Sequence, residues 1–215
     1  MFRLVLLTAP TSLPHEPRLL TELLTLGLPR LHLRKPNWPA AQLEALIRAL
    51  PPQFHERLVL HAYPHLVRHY RLGGLHLTAS QRAAATRRPA LLPGQTLSTS
   101  FHSLAEVTGH RRRYDYVFLS PIFDSISKEG YASGFDLAAV AAFLHKLGAR
   151  PGYQPPVLAL GGVDSQNIAL VQQAGFAGAA VLGAVWGSTE PAAAFQQLAR
   201  QVYASAASQS FHTGS

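Results

Sequence analysis

The sequence predicts a single (β/α)8 barrel, the TIM-barrel fold, and three observations lead to it. Short apolar, β-branched runs alternate with longer helix-like stretches along the chain, as parallel βαβ units require. Eight such strands fit into about 200 residues, close to the lower size of a closed barrel. Hydroxyls, imidazoles, cations and glycines collect just after the strands, where this fold places its chemistry. An open doubly wound sheet is the competing fold. It would need a Gly-rich phosphate turn after the first strand, and none is present.

The strands are expected at 3–8, 31–34, 57–61, 74–77, 96–100, 115–119, 156–160 and 178–182. Helices are expected at about 16–26, 39–49, 64–70, 102–112, 135–147, 164–174 and 190–204. The fourth unit is weak, because residues 79–95 are rich in Ala, Arg and Pro and give only a hint of a helix. Pro39 suits a first helical turn, and Asp164 and Ser165 can cap the helix after the seventh strand. Gly27 and Gly148 fall where helices should stop. One domain is expected over 1–204, followed by a small, polar, disordered tail over 205–215.

Composition narrows the class. The chain of 215 residues is 47% hydrophobic and 14% charged, as a globular protein is. It has no Cys, so disulfides and thiolate metal sites are excluded. No apolar run approaches the ~20 residues that cross a bilayer. The opening Phe2-Arg3-Leu4-Val5-Leu6-Leu7-Thr8 is too short for a signal peptide and reads as a strand, so a cytoplasmic protein with no membrane partner is expected. The net charge of +8 suggests anionic partners. Yet the arginines are scattered and no aromatic–basic interleaving marks a nucleic-acid surface. The dense run Arg111-Arg112-Arg113 sits at the predicted end of a helix, where cations complement the dipole. Small anionic molecules explain the charge without nucleic acid.

Read in order, the strand ends carry Thr8, Arg34-Lys35, His61, His76 and Thr78, then Ser100 and His102. Ser120 follows with the loop to Lys128, then Gly161-Gly162 and finally Leu182-Gly183. In the loop, Ser125, Ser127 and Lys128 offer two hydroxyls and one ammonium to a phosphate. Glycines of the seventh and eighth loops let backbone N–H groups approach an anion, or simply make tight turns. His61, His76 and His102 read as acid–base groups or as structural imidazoles bonded to carbonyls. A histidine-only metal site from His61 and His76 is a weaker alternative, because no ligand spacing within a helix supports it, and no metal ligand is assigned.

Several stretches together resemble the thiamine-phosphate synthase superfamily, which also contains thiazole tautomerases. They are Ser100-Phe101-His102, Tyr114 to Phe123, Ser125-x-Ser127-Lys128, Ala159-Leu160-Gly161-Gly162-Val163 and Ala174 to Val181. The resemblance runs from the first strand to about Ala199 and is most specific in the second half. It implies a barrel in which a thiazole monophosphate is joined to a hydroxymethylpyrimidine pyrophosphate, releasing pyrophosphate. By the family pattern Ser125, Ser127, Gly161, Gly162, Leu182 and Gly183 bind the thiazole phosphate. Arg34, Ser100 and Lys128 are catalytic, acting on the departing pyrophosphate. Lys35 and His61 join them as substrate-binding residues, and magnesium is the implied cofactor. The implied partners are the two phosphorylated substrates, and a homo-oligomer is left open.

The sequence also departs from the family. The second-strand motif reads His32-Leu33-Arg34-Lys35-Pro36, with Pro36 where the family has a lysine. His61-Ala62 replaces an Asn-Asp pair whose aspartate binds magnesium, and Thr78-Ala79-Ser80-Gln81 supplies no carboxylate where a second is expected. Pro121 stands where the tautomerases carry a catalytic histidine. A thiazole tautomerase or other thiazole-salvage enzyme, and a non-catalytic thiazole-phosphate or thiamine-phosphate binder, therefore remain as alternatives.

Overall fold

Eight parallel strands close on themselves in sequence order, each paired to the next and β8 paired back to β1. They are β1 (Arg3–Leu7), β2 (Arg30–Leu33), β3 (Leu58–Leu60), β4 (Gly74–Leu77), β5 (Thr96–Phe101), β6 (Tyr116–Leu119), β7 (Val157–Leu160) and β8 (Gly178–Val181). Around them lie α1 (Glu16–Thr25), α2 (Ala40–Ala49), α3 (Pro64–His69), α4 (Ala79–Ala84), α5 (Leu104–Gly109), α6 (Leu137–Gly148), α7 (Ile168–Gln173), α8 (Gly183–Trp186) and α9 (Pro191–Gln209). This computed structural model describes residues 2–124 and 134–209, with only the backbone described over 204–209. Among the described residues no helix is long and apolar enough to cross a membrane.

Alternation along each strand divides the core in two. Leu4 and Leu6 of β1, Leu31 and Leu33 of β2, and Val117 and Leu119 of β6 pack outward, under the helices. Val5, Leu7, Tyr116, Phe118, Leu158 and Ala180 form a separate cluster inside the barrel. A parallel sheet covered on both faces needs near-continuous apolar strands, and these sequences provide them. The exceptions are the inward positions His32, His76 and Ser98, all buried. Polar residues at those places mark where the barrel interior becomes a site.

Several elements differ from the sequence expectation. The fourth unit does form a helix, α4, because Thr78 and Gln81 make a reciprocal capping box that its weak periodicity conceals. The short helix α8 follows β8 directly and was not expected. α5 ends at Gly109, so Arg111-Arg112-Arg113 lies beyond it and does not complement a helix end. Arg112 instead donates to the Ala85 carbonyl at 2.6 Å, and Arg113 lies over the Tyr153 ring. Pro39 is the N-cap residue of α2 rather than part of its first turn. The Asp164 carboxylate accepts from the backbone N–H groups of Gln166 and Asn167, closing a turn ahead of α7. α9 continues to Gln209, past the 204 expected for the domain end. Gly27, with φ +94°, follows α1 as a left-handed stop.

Candidate active site

The C-terminal rim begins with a staple between β1 and β2. Buried Thr8 donates its hydroxyl to the Arg34 carbonyl at 3.1 Å, and the Arg34 N–H donates back to that hydroxyl at 2.9 Å. The backbone of Arg34 is thus fixed, while its guanidinium has no hydrogen-bond or ion-pair partner among the described residues. Its neighbour behaves differently. The Lys35 ammonium donates to Glu16 Oε1 at 2.5 Å and to the Thr11 carbonyl at 2.8 Å, and lies over the Trp38 ring. Both side chains of that pair are almost fully buried. The charge of Lys35 is compensated inside the protein, so the two adjacent cations do not act as a pair at the rim.

Inward from Arg34 lies a cluster of three imidazoles. His32 Nδ1 shares a hydrogen bond of 2.9 Å with His61 Nε2, and His32 Nε2 shares one of 2.7 Å with the Tyr116 hydroxyl. His76 bonds Ser98 Oγ through Nδ1 at 2.9 Å and Ser100 Oγ through Nε2 at 3.0 Å. The His61 and His76 rings stack with centroids 4.3 Å apart, and Phe118 forms the floor under His32 and His76. Burial strips each ring of the water that would stabilise a positive charge. That desolvation, followed by the Arg34 and Arg82 charges, pulls His76 down to about 3. Burial and then the His76 charge lower His32 well below its usual range. Burial, then His76, His32 and Arg34, do the same to His61. Three neutral imidazoles, each a donor and an acceptor, therefore sit beside a cationic guanidinium.

Two supports position this cluster. Gln81 completes the cap of α4 and also donates its amide to the His61 carbonyl at 2.9 Å, which fixes the loop after β3. Arg82 of α4 donates to the Ser100 carbonyl and to Thr99 Oγ1, pairs with Glu106, and stacks on Phe101. Thr78 and Gln81 are thereby occupied in structure.

Across the rim the loops after β6 and β7 are in contact. Gly161 and Gly162 have φ of +94° and +64°, where a side chain is strained. A Cβ on Gly161 would lie 2.8 Å from Pro121 Cα, and one on Gly162 would lie 2.6 Å from the Asp124 carbonyl oxygen. These glycines seat the segment 121–124 that leads into the Ser125, Ser127 and Lys128 loop. Those three residues lie outside the described residues. β7 and β8 are neighbours, with Leu160 opposite Ala180, so Leu182 and Gly183 open α8 on the adjacent loop. His102 is exposed and its Nδ1 bonds the Ser120 carbonyl at 2.9 Å, the structural alternative foreseen for it.

Residues 4–185 match the family model described as thiamine monophosphate synthase. The chain belongs to that family. A thiamine-phosphate synthase of Methanoculleus marisnigri is 33% identical over 135 residues, covering 62% of this chain and 61% of that protein. One of Parasynechococcus marenigrum is 34% identical over 128 residues, covering 58% of this chain and 34% of that protein. The alignments thus span less than two thirds of the length of these two relatives. The crystal structure of a thiamine phosphate pyrophosphorylase from Bacteroides thetaiotaomicron superposes with a TM-score of 0.76 at 30% identity, covering 93% of this chain and 96% of that one.

The structure gathers Arg34, His61 and Ser100 on one side of the mouth and Gly161, Gly162, Leu182 and Gly183 on the other. Lys35 is drawn aside to Glu16. Sequence reasoning missed His32 as a site residue. The signal was present, because His32 alternates with Leu31 and Leu33 and so points inward with His76.

Proposed function

We propose that this chain is a thiamine-phosphate synthase-like transferase that joins hydroxymethylpyrimidine pyrophosphate to thiazole phosphate with release of pyrophosphate. The observation that carries the reading is the Arg34 guanidinium: it is held by its backbone and unpaired among the described residues. It lies close enough to the His76 and His61 rings to lower both. A cation without a partner among the described residues, at the mouth of a barrel of this family, is suited to an anionic leaving group.

The reading implies the following reaction. The bond between the pyrimidine methylene and the pyrophosphate oxygen loosens, leaving a resonance-stabilised cation that the thiazole nitrogen attacks. Alignment and stabilisation of the departing charge matter more here than a strong base. Arg34, Lys128 and the Ser100 hydroxyl take up the charge of the pyrophosphate. Ser125, Ser127 and backbone N–H groups at Gly161, Gly162 and Gly183 hold the thiazole phosphate on the far side.

Magnesium, the cofactor implied by the family, finds no carboxylate at the family's ligand positions, which leaves Asp124, on the loop after β6, as the carboxylate to test. It requires hard oxygen ligands. Ala62 supplies none, and Thr78 and Gln81 cap α4. Glu16 is tied to Lys35, Glu106 to Arg82, and Asp164 to backbone N–H groups. No step is therefore routed through magnesium.

The test is incubation with both substrates, with and without magnesium, and identification of the products. Thiamine phosphate and pyrophosphate in equal amounts, with the rate lowered by Arg34→Ala, are expected. The missing carboxylates favour one other reading, a thiazole-phosphate or thiamine-phosphate binder. Tight binding with no product under any condition would establish that reading instead.

A further inference from the structure

We propose that His32, His61 and His76 form a three-histidine site for a borderline divalent transition metal such as zinc or cobalt. Three ring nitrogens, one from each residue, lie within 4.8 Å of one another. Zinc holds imidazole nitrogens at about 2.0–2.1 Å, which places tetrahedral ligands roughly 3.3 Å apart. His32 Nδ1 and His61 Nε2 are already 2.9 Å apart, so a small separation of the two rings admits the ion. His76 Nε2 turns to it from Ser100, its present partner.

Metal-bound histidines usually donate their second ring N–H to a fixed partner, which sets tautomer and orientation. Two such partners are built in. The Tyr116 hydroxyl meets His32 Nε2 at 2.7 Å, and Ser98 Oγ meets His76 Nδ1 at 2.9 Å, both in the buried interior. Protons on those two nitrogens leave His32 Nδ1 and His76 Nε2 with lone pairs facing the centre. In the metal-free arrangement the N–H between His32 and His61 then belongs to His61 Nε2. Binding needs that proton to move to His61 Nδ1, a change of tautomer with no net loss of a proton.

The ligand set also decides the class of ion. Imidazole nitrogen suits zinc, cobalt, nickel or copper, whereas magnesium prefers oxygen. The cluster contains no carboxylate, so a bound ion keeps its double charge. Three histidines leave a fourth position open, as at catalytic zinc sites. An anionic oxygen, from hydroxide or from a phosphorylated ligand, fits that position, with the Arg34 guanidinium attracting the same charge. The binding of the metal does not depend on the transferase reading, and it is measured with metal alone.

The experiment is titration of metal-stripped protein with cobalt, followed by visible absorption, and with zinc and magnesium followed by calorimetry. One equivalent of zinc or cobalt per chain is expected, with the intense visible bands of four- or five-coordinate cobalt. Tyr116→Phe should weaken binding roughly 10- to 100-fold. His32→Gln and His61→Asn should abolish the bands, while the exposed His69→Asn leaves them intact. Circular dichroism checks folding, and the partly exposed His61 provides the test if the buried His32→Gln variant does not fold. Weak octahedral cobalt absorption, bands that survive His61→Asn, or magnesium binding as tightly as zinc would overturn the proposal.

Discussion

From β6 round to β1 the barrel interior is filled by Phe118, Leu158, Ala180, Val5 and Leu7. From β2 to β5 it is filled by His32, His61, His76, Ser98 and Ser100, joined through hydrogen bonds that also reach Tyr116. The first arc is an ordinary packed core, topped by glycine loops that follow the family pattern closely. The second arc carries His61-Ala62, where the sequence departs from that pattern, and its polar groups satisfy one another. One closed sheet thus combines an apolar arc with a polar arc beside Arg34. The difference teaches that one closed sheet can hold an apolar core and a hydrogen-bonded polar network side by side.

The sharpest way to break this comparison is to remove the floor that both arcs share. Phe118→Ala should cost about 3–5 kcal/mol, read as a large fall in Tm, because Phe118 is fully buried against His32 and His76. By contrast Ser100→Ala removes one hydrogen bond and should cost about 1 kcal/mol in denaturant unfolding, while lowering turnover clearly. A comparable stability loss from both substitutions would mean the polar arc is as structural as the apolar one.

Glu16→Gln sharpens the contrast between the two adjacent cations. It leaves a buried ammonium without its carboxylate and should destabilise by about 3–5 kcal/mol, measured by denaturant unfolding. Arg34→Ala should cost little stability and much activity. Gly162→Ala acts on the other arc. The left-handed conformation alone costs about 1–2 kcal/mol, and the new Cβ pushes against the Asp124 carbonyl. Affinity for thiazole phosphate should fall, with zinc binding at the histidines unchanged.

The mildest perturbation is pH. Folded His32, His61 and His76 hold their protons less tightly than the unfolded chain does. Their neutral, buried arrangement therefore stabilises the fold above about pH 6.5, the unfolded value. Stability should decline as pH drops below that, toward the value of about 3 reached by His76. Acid titration followed by circular dichroism should show a shallower decline in His61→Asn than in the unmodified protein.

The barrel was legible in the sequence because strand alternation and helix breakers are local signals, and β1 to β8 fall close to the expected positions. The fourth helix was obscured because a capping box, not periodicity, defines α4. Arg34, Ser100 and the paired glycines were visible as strand-end residues. The role of Lys35 was not, since its partner Glu16 lies 19 residues away in the chain and only the fold brings them together. The inward register of His32 was legible, but its partners His61, His76 and Tyr116 come from three other strands or strand ends and only the fold brings them together.

The proposed transfer runs beside the polar arc without magnesium held at the family's carboxylate positions. Its most direct test is the initial rate of thiamine phosphate formation by metal-stripped protein, with and without added magnesium. Rates that agree within about twofold are predicted. A stimulation by magnesium of roughly tenfold or more would contradict the account.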